Sequence, residues 1–287
     1  MKDISFLIFT NEKYFDLLQL TLPYVINNTK HLKKNINVVS NNIFNNMFFD
    51  GVRFLNANEK FSNDGLHFRN SMIYALNNID EKYILFLCDD YLIQSPINKT
   101  LFQNIITILD NLNVDFLALG TQKHIENVII NWEQPNINYV DFGFSKNFFY
   151  EMDPSYRHLY SVQPCIWKKS SLMDILEHNE YLTLHQLDNT DIMNRKGEKR
   201  KSEFIEYHFY NSEPNFFDYG FKNLCYHNPP LTYNIDEKPI GSDFFLIDYC
   251  EIVRYGKFIE TETNGKILLN KILENNIDLK SKLSIFL

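Results

Sequence analysis

Two adjacent carboxylates, Asp89 and Asp90, follow directly on the apolar run Tyr83–Cys88. Such a run predicts a buried strand with the acidic pair at its carboxyl end. Carboxylate oxygens are the ligands that Mg²⁺ and Mn²⁺ prefer, and both ions also bind phosphate. An ion held there would act as a Lewis acid and neutralise a leaving diphosphate. The simpler interpretation is a turn, because Asp is common after strands, but the strand before the pair and Pro96 after it favour a metal site.

Strands and helices alternate up to about residue 120. The predicted strands are 4–9, 36–40, 51–56, 83–88 and 114–120, and the predicted helices are 13–28, one that begins near Ser62, Asn63 or Asp64, and 101–112. We expect Pro23 to kink or shorten the first helix. The alternation predicts an α/β fold with a mainly parallel central sheet flanked by helices. Ligands of such sheets bind beyond the carboxyl ends of the strands, so Thr10, Asn11, Ser40 and the acidic pair are expected to line one cleft.

The second half of the chain has a less regular pattern. A helix is predicted over 170–179 with Ser170 or Ser171 as its N-cap, and Asn194–Lys201 is a basic loop. Because no Ser/Gly-rich linker interrupts the chain, we expect a single domain over 1–287. Its parts are an α/β half at 1–120, an irregular half at 121–262 and an amphipathic helix at 263–287. That helix can pack against the sheet or lie on a membrane surface.

Composition excludes some classes of partner. The formal charge of −8 and the pI near 5.5 lack the basic balance of a nucleic-acid binder, so no nucleic acid is expected. The four cysteines are far apart with no CxxC, which indicates reduced structural thiols rather than a zinc site. The N-terminal apolar run is too short for a signal peptide, and no stretch reaches the roughly 20 apolar residues of a membrane span. We therefore expect a cytoplasmic protein, at most peripheral to a membrane.

Two segments resemble a known family. The segment NDGLHFRNSMIYALNNIDEKYILFLCDDYLIQSP, residues 63–96, resembles the nucleotide half of GT-A glycosyltransferases of the family-2 type. Gly65, Arg69, Asn70, Ala75 and the pair Asp89/Asp90 follow the order of that family's motifs. The segment ISFLIFTNEKYFDLLQLTLPYV, residues 4–25, resembles the start of the same family, whose first strand ends in a Thr-(x)-Asn element. The letters CDDY resemble a subgroup in which the DxD motif takes a DDY form.

The resemblance implies that residues 1–120 are the nucleotide-sugar-binding half and 121–262 the acceptor and catalytic half. It also implies a set of site residues. Thr10, Asn11, Gly65, Arg69, Asn70 and Asp89 would bind the nucleotide sugar, and Asp90 would hold Mn²⁺ or Mg²⁺. A UDP-sugar is the expected donor. The family often has an acidic residue after its second strand to recognise the base, whereas this chain has Ser40, Asn41 and Asn42 there. The base that the site binds therefore stays open.

Arg69 has two interpretations. Its spacing places it with Leu66, Ile73 and Leu76 on the apolar face of a helix. A guanidinium facing a diphosphate would explain this position, and so would a buried structural salt bridge.

Two further segments resemble the acceptor side of these enzymes. In SVQPCIWKKSSLMDIL, Gln163 could donate a hydrogen bond to a sugar and Trp167 could stack on it, although a buried Trp is the simpler interpretation. In LDNTDIMNR, Asp188 and Asp191 fit a short acidic motif of the family. An inverting transferase needs a carboxylate to deprotonate the acceptor hydroxyl. Asp188 is our choice and Asp191 the reserve; capping of a helix is the alternative for both.

Taken with these motifs, the resemblance implies a hexosyltransferase-type glycosyltransferase that is inverting and dependent on a divalent metal. Its acceptor would be a glycan, or a lipid-linked or protein-linked sugar. One alternative is a sugar-phosphate nucleotidyltransferase, although TNEKYF lacks the Gly-rich loop such an enzyme usually has after its first strand. Another alternative is a non-catalytic glycan-binding protein on a transferase fold.

Overall fold

The structure of the chain is a computed structural model. It describes residues 3–42, 48–60, 67–93, 95–119, 164–179 and 184. Of a further group of short strands it describes the backbone, at 139–140, 148–151, 223–227, 249–251, 253–254 and 257–258.

Thirteen strands and four α-helices lie within these residues. The strands are β1 (Ile4–Thr10), β2 (Ile36–Ser40), β3 (Val52–Asn56), β4 (Tyr83–Cys88), β5 (Tyr91–Ile93), β6 (Phe116–Leu119), β7 (Tyr139–Val140), β8 (Phe148–Glu151), β9 (Cys165–Lys168), β10 (Asn223–His227), β11 (Tyr249–Glu251), β12 (Val253–Arg254) and β13 (Lys257–Phe258). The helices are α1 (Phe15–Thr29), α2 (His67–Asn77), α3 (Lys99–Asn111) and α4 (Lys169–His178). Short 3₁₀ turns at Glu12–Tyr14 and Lys30–Leu32 precede and follow α1.

A nine-stranded sheet in the order β3-β2-β1-β4-β9-β6-β10-β8-β7 forms the centre of the described part. Strands β3, β2, β1 and β4 are parallel neighbours, and so are β6 and β10. Strand β9 runs antiparallel to β4 and β6, and β8 runs antiparallel to β10 and β7. The sheet is mainly parallel with flanking helices, which confirms the predicted fold class.

The strand order reverses between β1 and β4. From β1 the chain proceeds outward to β2 and β3, and then returns to place β4 on the other side of β1. Such a reversal leaves a crevice outside the carboxyl ends of the two central strands, where ligands of open α/β sheets bind. Thr10 ends β1 and Asp89 directly follows β4, so both lie at this crevice.

The two central strands are buried along their whole length, as their uniformly apolar sequences predicted. They share one hydrophobic core with apolar residues of all four helices, among them Leu18, Leu22, Phe68, Met72, Phe102, Ile105, Leu172 and Ile175. Cys88 and Cys165 are buried free cysteines in this core. The site at the ends of β1 and β4 therefore rests on two fully buried strands.

Helix α1 continues through Pro23 to Thr29, so of the two predicted effects, a kink or a shorter helix, the shortening was wrong. Proline lacks the N–H of one intrahelical bond and costs helix stability. Leu18, Leu22 and Val25, on both sides of Pro23, are buried in the core. Their burial stabilises the helix across the proline.

Two details of the other helices differ from prediction. The buried face of α2 contains Phe68, Met72, Ala75 and the predicted Leu76, whereas Arg69 and Ile73, also predicted there, are only partly buried. The face is thus rotated by about one residue from the predicted one. Helix α4 begins at Lys169 with Lys168 at the N-cap and no side-chain capping bond. Ser171 is instead inside the first turn, where its hydroxyl donates a 2.6 Å hydrogen bond to Asp115 Oδ1.

Two strands were not predicted in their observed places. Strand β5 follows the acidic pair immediately and pairs with β11 from the second half of the chain. Strand β9 lies between β4 and β6, which the predicted parallel order would have made neighbours. No helix in the described ranges has the length and apolar character needed to cross a bilayer. The basic loop and the C-terminal segment 263–287 lie outside the described residues.

Candidate active site

The ends of β1 and β4 are joined by a side-chain hydrogen bond. Phe9 pairs with Cys88 in the parallel register, so the next residues, Thr10 and Asp89, are neighbours across the two strands. Thr10 Oγ1 donates to Asp89 Oδ2 over 2.5 Å. Both side chains are buried, with Asp89 8% exposed. The structure therefore brings together two of the predicted site residues from distant parts of the sequence.

The Asp89 carboxyl group is under two opposing influences. Burial disfavours its charged form and raises the pKa of Asp89 to about 7, and the hydrogen bond from Thr10 opposes that rise. Asp90, next to it, is only partly buried. One carboxyl group of the pair is therefore shielded from solvent and changes its protonation state near neutral pH. The other is partly exposed to solvent.

Helix α1 contacts the acidic segment through two side chains. Thr21 Oγ1 donates to the backbone carbonyl oxygen of Asp89 at 2.9 Å. Asn28 Nδ2 donates to the carbonyl oxygen of Ile93 at 2.7 Å. The turn after β4 and strand β5 are therefore held along α1.

Tyr14 lies in the 3₁₀ turn between β1 and α1 and is close to the acidic pair. Burial raises the pKa of the Tyr14 hydroxyl, and the negative charges of Asp89 and Asp90 raise it further. Asn11 caps the same turn, because its Oδ1 accepts a 3.0 Å hydrogen bond from the backbone N–H of Lys13. Asn11 is thus at the crevice as predicted, and its side-chain oxygen has a local structural role.

Asn41 connects the loops that follow three parallel strands. Its side chain is completely buried. Its Oδ1 accepts hydrogen bonds from the Glu12 backbone N–H at 3.1 Å and from Ser40 Oγ at 3.3 Å, and its Nδ2 donates to the Glu59 carbonyl oxygen at 3.3 Å. The position after β2 therefore holds an amide that fixes the rim of the crevice.

Two partly buried carboxylates, Glu12 and Glu59, also lie on this rim. Asn42 Nδ2 donates to Glu12 Oε2. Asn70 Nδ2 donates to Glu59 Oε2 at 3.2 Å, which places Asn70 at the rim as well. The described rim around Asp89 and Asp90 is therefore rich in negative charge, and a diphosphate would need a cation to bind there.

Arg69 is bonded to its protein neighbours. Its Nε donates a 2.6 Å hydrogen bond to the carbonyl oxygen of Leu176, in the last turn of α4, and its Nη1 donates to Asn70 Oδ1 at 3.0 Å. A cation at a helix C-terminus stabilises unpaired carbonyl groups. In this geometry Arg69 joins α2 to α4 through a backbone carbonyl, and its contact with a diphosphate stays a prediction.

The Trp167 side chain is buried in the core. Its predicted role in stacking on a sugar is therefore wrong. Its side chain is 0% exposed, and its ring centroid is 4.6 Å from that of Phe116 on the neighbouring strand β6. The alternating faces of a strand direct this side chain into the core. The buried aromatic residue was the alternative interpretation, and it is the one that the structure shows.

Four other predicted site residues lie outside the described residues. They are Gly65, Gln163, Asp188 and Asp191. Sequence reasoning in turn missed Thr21, Asn41 and Tyr14. For Asn41 a signal was present, because it directly follows β2 at the edge where Thr10 and Asp89 lie. For Thr21 there was none, since a threonine inside a helix gives no sign of a partner so distant in sequence.

The described residues fit a divalent ion that is shared with a phosphate ligand. Asp89, Asp90 and the Thr10 hydroxyl offer oxygen atoms only, which suits Mg²⁺ or Mn²⁺. No cluster of three or more His, Cys, Asp or Glu side chains that could hold a metal occurs within the described ranges. Two carboxylates suffice when substrate phosphates and water complete the coordination. Because a coordinating Asp89 must be deprotonated, ion binding there would release protons near neutral pH.

Comparisons with known proteins give weak similarities. No family model matches the chain, and no curated protein matches it significantly. Among solved structures, the S. aureus TarS fragment 1–349 is 14% identical, with 63% of this chain and 51% of that chain covered and a TM-score of 0.39. The galactosyltransferase LgtC in complex with donor and acceptor sugar analogs is 12% identical, with 62% and 61% covered and a TM-score of 0.31.

The bifunctional IspDF from Campylobacter jejuni is similar to the same degree, with 16% identity, coverage of 63% and 45%, and a TM-score of 0.34. The chain spans about half the length of the TarS fragment. At these TM-scores the similarities assign neither a fold nor an activity to this chain.

Proposed function

We propose that the protein is a glycosyltransferase that transfers a sugar from a nucleotide-diphosphate sugar, a UDP-sugar in the first instance, to a glycan, lipid-linked or protein-linked acceptor. The proposal includes inversion at the anomeric carbon and dependence on Mn²⁺ or Mg²⁺. The observation that carries it is the hydrogen bond between Thr10 and Asp89 at the reversal of strand order. It joins, at the edge where such sheets bind ligands, the Thr-Asn element and the acidic pair that resemble the donor site of the family.

The acidic pair would serve the diphosphate end of the donor. Asp90, which is partly buried, and Asp89 are the residues that would hold the divalent ion. When bound, such an ion neutralises charge on a diphosphate leaving group. In this proposal Thr10 and Asn11 at the end of β1, with Gly65 and Asn70, would bind the nucleotide sugar. The tethers from Thr10 and Thr21 hold Asp89 before any ligand binds, so little reorganisation is needed.

The acceptor side of the proposal depends on residues outside the described ranges. Asp188, with Asp191 in reserve, would take the proton from the acceptor hydroxyl. The acceptor oxygen then forms a bond to the anomeric carbon from the face opposite the diphosphate. The bond between that carbon and the diphosphate breaks, and the nucleoside diphosphate leaves with the electron pair. Gln163 would donate a hydrogen bond to the acceptor.

A donor panel tests the proposal. The protein is incubated with individual nucleotide sugars and Mn²⁺ or Mg²⁺, and donor hydrolysis and the thermal midpoint are measured. At least one donor should be hydrolysed, and the matching nucleoside diphosphate should raise the midpoint only with the ion present. No hydrolysis and no shift across the panel would overturn the proposal. Release of pyrophosphate from a nucleoside triphosphate and a sugar phosphate would assign a nucleotidyltransferase instead.

A further inference from the structure

The hydroxyl of Thr21 has an unusual partner for a residue inside a helix. Thr21 lies in the middle of α1 and is 2% exposed. Its Oγ1 is 2.9 Å from the carbonyl oxygen of Asp89, but 3.3 Å from that of Leu17 and 3.5 Å from that of Leu18. A hydroxyl has one proton to donate. The distances assign that proton to Asp89, outside the helix.

Thr29, on the same helix, shows the ordinary behaviour. It is equally buried, and its Oγ1 donates to the carbonyl oxygen of Val25, four residues earlier, at 2.7 Å. This back-bond is what helical threonines commonly form. For Thr21 the corresponding distance, from Oγ1 to the carbonyl oxygen of Leu17, is longer, because the hydroxyl donates to Asp89 instead. The difference between the two threonines therefore comes from the acidic segment that passes beside Thr21.

The same helix holds that segment a second time. Asn28 lies two turns after Thr21, so the two side chains share a face of α1. Asn28 Nδ2 donates to the carbonyl oxygen of Ile93, and the Asn28 carbonyl accepts from the Ile97 N–H at 3.1 Å. Seven helical residues rise about 10 Å, and the four steps from Asp89 to Ile93 span at most about 13 Å. The acidic segment therefore runs alongside α1 and is fixed to it at both ends.

The Thr21 bond controls a particular peptide unit. The carbonyl group of Asp89 and the N–H of Asp90 belong to one planar amide, so fixing the oxygen fixes the plane from which Asp90 departs. Thr10 fixes the Asp89 carboxyl group from β1. Asp89 is thus held through its backbone by a helix and through its side chain by a strand. The direction of Asp90 depends on the first of these two bonds.

We propose that Thr21 is a positioning residue for the acidic pair: by holding the Asp89 carbonyl oxygen it presents Asp90 to a divalent ion and its diphosphate ligand. This inference rests on the proposed function, because it assigns Thr21 to the ion site of that proposal. It adds to the site a residue of α1 to which the resemblance gives no role.

Three variants of the full chain test the proposal: Thr21→Val, Thr21→Ser and the matched control Thr29→Val. Valine has nearly the same shape as threonine but lacks the hydroxyl, and serine retains it. The dissociation constant of Mn²⁺ in the presence of UDP is measured by calorimetry, and the thermal midpoint is measured without ligand. Thr21→Val should weaken Mn²⁺ binding about tenfold, which equals about 1.4 kcal/mol. Thr29→Val should change the dissociation constant of Mn²⁺ by less than about twofold, because the Thr29 hydrogen bond stabilises only its own helix.

The control separates positioning from stability, because both valine variants remove one buried helical hydroxyl. Equal Mn²⁺ binding by Thr21→Val and wild type would overturn the role of Thr21 and leave the proposed function intact. Absence of Mn²⁺ and UDP binding in the wild type would overturn both. If Thr21→Val does not fold, Thr21→Ser decides: near wild-type binding supports the role of the hydroxyl, and a tenfold loss contradicts it.

Discussion

Thr10 and Asp89 are 79 positions apart in the sequence, yet the Thr10 hydroxyl donates a 2.5 Å hydrogen bond to Asp89 Oδ2. The bond links the ends of two fully buried strands on either side of the reversal in strand order. It also supports the charged form of a carboxyl group that burial drives towards its neutral form. Substitutions on the two sides of this bond therefore change stability and proton binding in different ways.

Thr10→Val should destabilise the protein by about 1–3 kcal/mol, because the variant leaves a buried acceptor without its donor. It should also raise the pKa of Asp89 further, since the Thr10 bond is what opposes the effect of burial. Urea denaturation at pH 7 measures the free energy of unfolding. Thr10→Ser retains the hydroxyl and should lie close to wild type. A valine variant as stable as wild type would show that this bond contributes nothing to folding.

Asp89→Asn should flatten the pH dependence of stability. Because the pKa of Asp89 is raised from 3.8 to about 7, the folded protein holds a proton between about pH 4 and 7 that the unfolded chain has released. Stability therefore decreases as pH rises through this window, by at most about 1.4 kcal/mol per pH unit. Urea midpoints in EDTA from pH 4 to 8 measure the slope. All other groups titrate in both proteins, so identical slopes for variant and wild type would contradict the buried, protonated Asp89.

Asp90→Ala should abolish transfer and remove the ion-dependent thermal shift given by a nucleoside diphosphate. The ligand-free midpoint should change little, because Asp90 is partly exposed and is not part of the core. Asp50→Ala is the matched control, since Asp50 is an exposed acid before β3 at the opposite end of the sheet. Full activity of Asp90→Ala, or of wild type in EDTA, would defeat the ion-dependent mechanism.

Arg69→Ala should lower stability by about 2 kcal/mol, the usual contribution of a hydrogen bond to a charged group. The reason is that Arg69 Nε joins α2 to the Leu176 carbonyl oxygen of α4. The shift of the thermal midpoint by UDP and Mn²⁺ should persist. A variant with an unchanged ligand-free midpoint and no ligand-induced shift would instead place Arg69 on the diphosphate.

Asp188→Asn should reduce kcat by about 10²–10⁴-fold if Asp188 takes the acceptor proton, because the amide keeps the shape and loses the basicity. Donor binding should change little. Asp191→Asn should reduce kcat less than Asp188→Asn does. A larger reduction by Asp191→Asn would assign the role of base to Asp191. The anomeric configuration of the product, measured by NMR, is an independent check. Retention of the donor's configuration would rule out this role whatever the mutant rates.

Local patterns predicted the elements beside the site well. Strand β4 was predicted with its observed bounds, Tyr83–Cys88, because a strand buried on both faces needs an uninterrupted apolar sequence. The meeting of Thr10 with Asp89 followed from a general property of parallel sheets, in which carboxyl ends share an edge. The face of α2 was less certain, since buried polar residues such as His67 and Ser71 conceal the true apolar stripe.

Pairing between distant segments was beyond local patterns. The sequence of β9 indicates a strand, but no local property shows that it pairs with both β4 and β6. The predicted role of Trp167 was wrong for the same reason, because an aromatic side chain suits a core and a sugar site equally until its neighbours are known. Thr21 shows the limit most clearly, since its partner is 68 positions away.

The position of β9 has a consequence for synthesis of the chain. Strand β4 needs β9 to cover one of its hydrogen-bonding edges, but β9 is encoded roughly 80 residues later, which a ribosome takes about 4–16 s to translate. During that interval β4 is a uniformly apolar strand with an open edge, the kind of template on which another chain can pair. Strand β6 also has an open edge until β9 is made. Folding of the nascent chain therefore competes with intermolecular pairing until Lys168 has left the ribosome, and the outcome depends on translation speed and chain concentration.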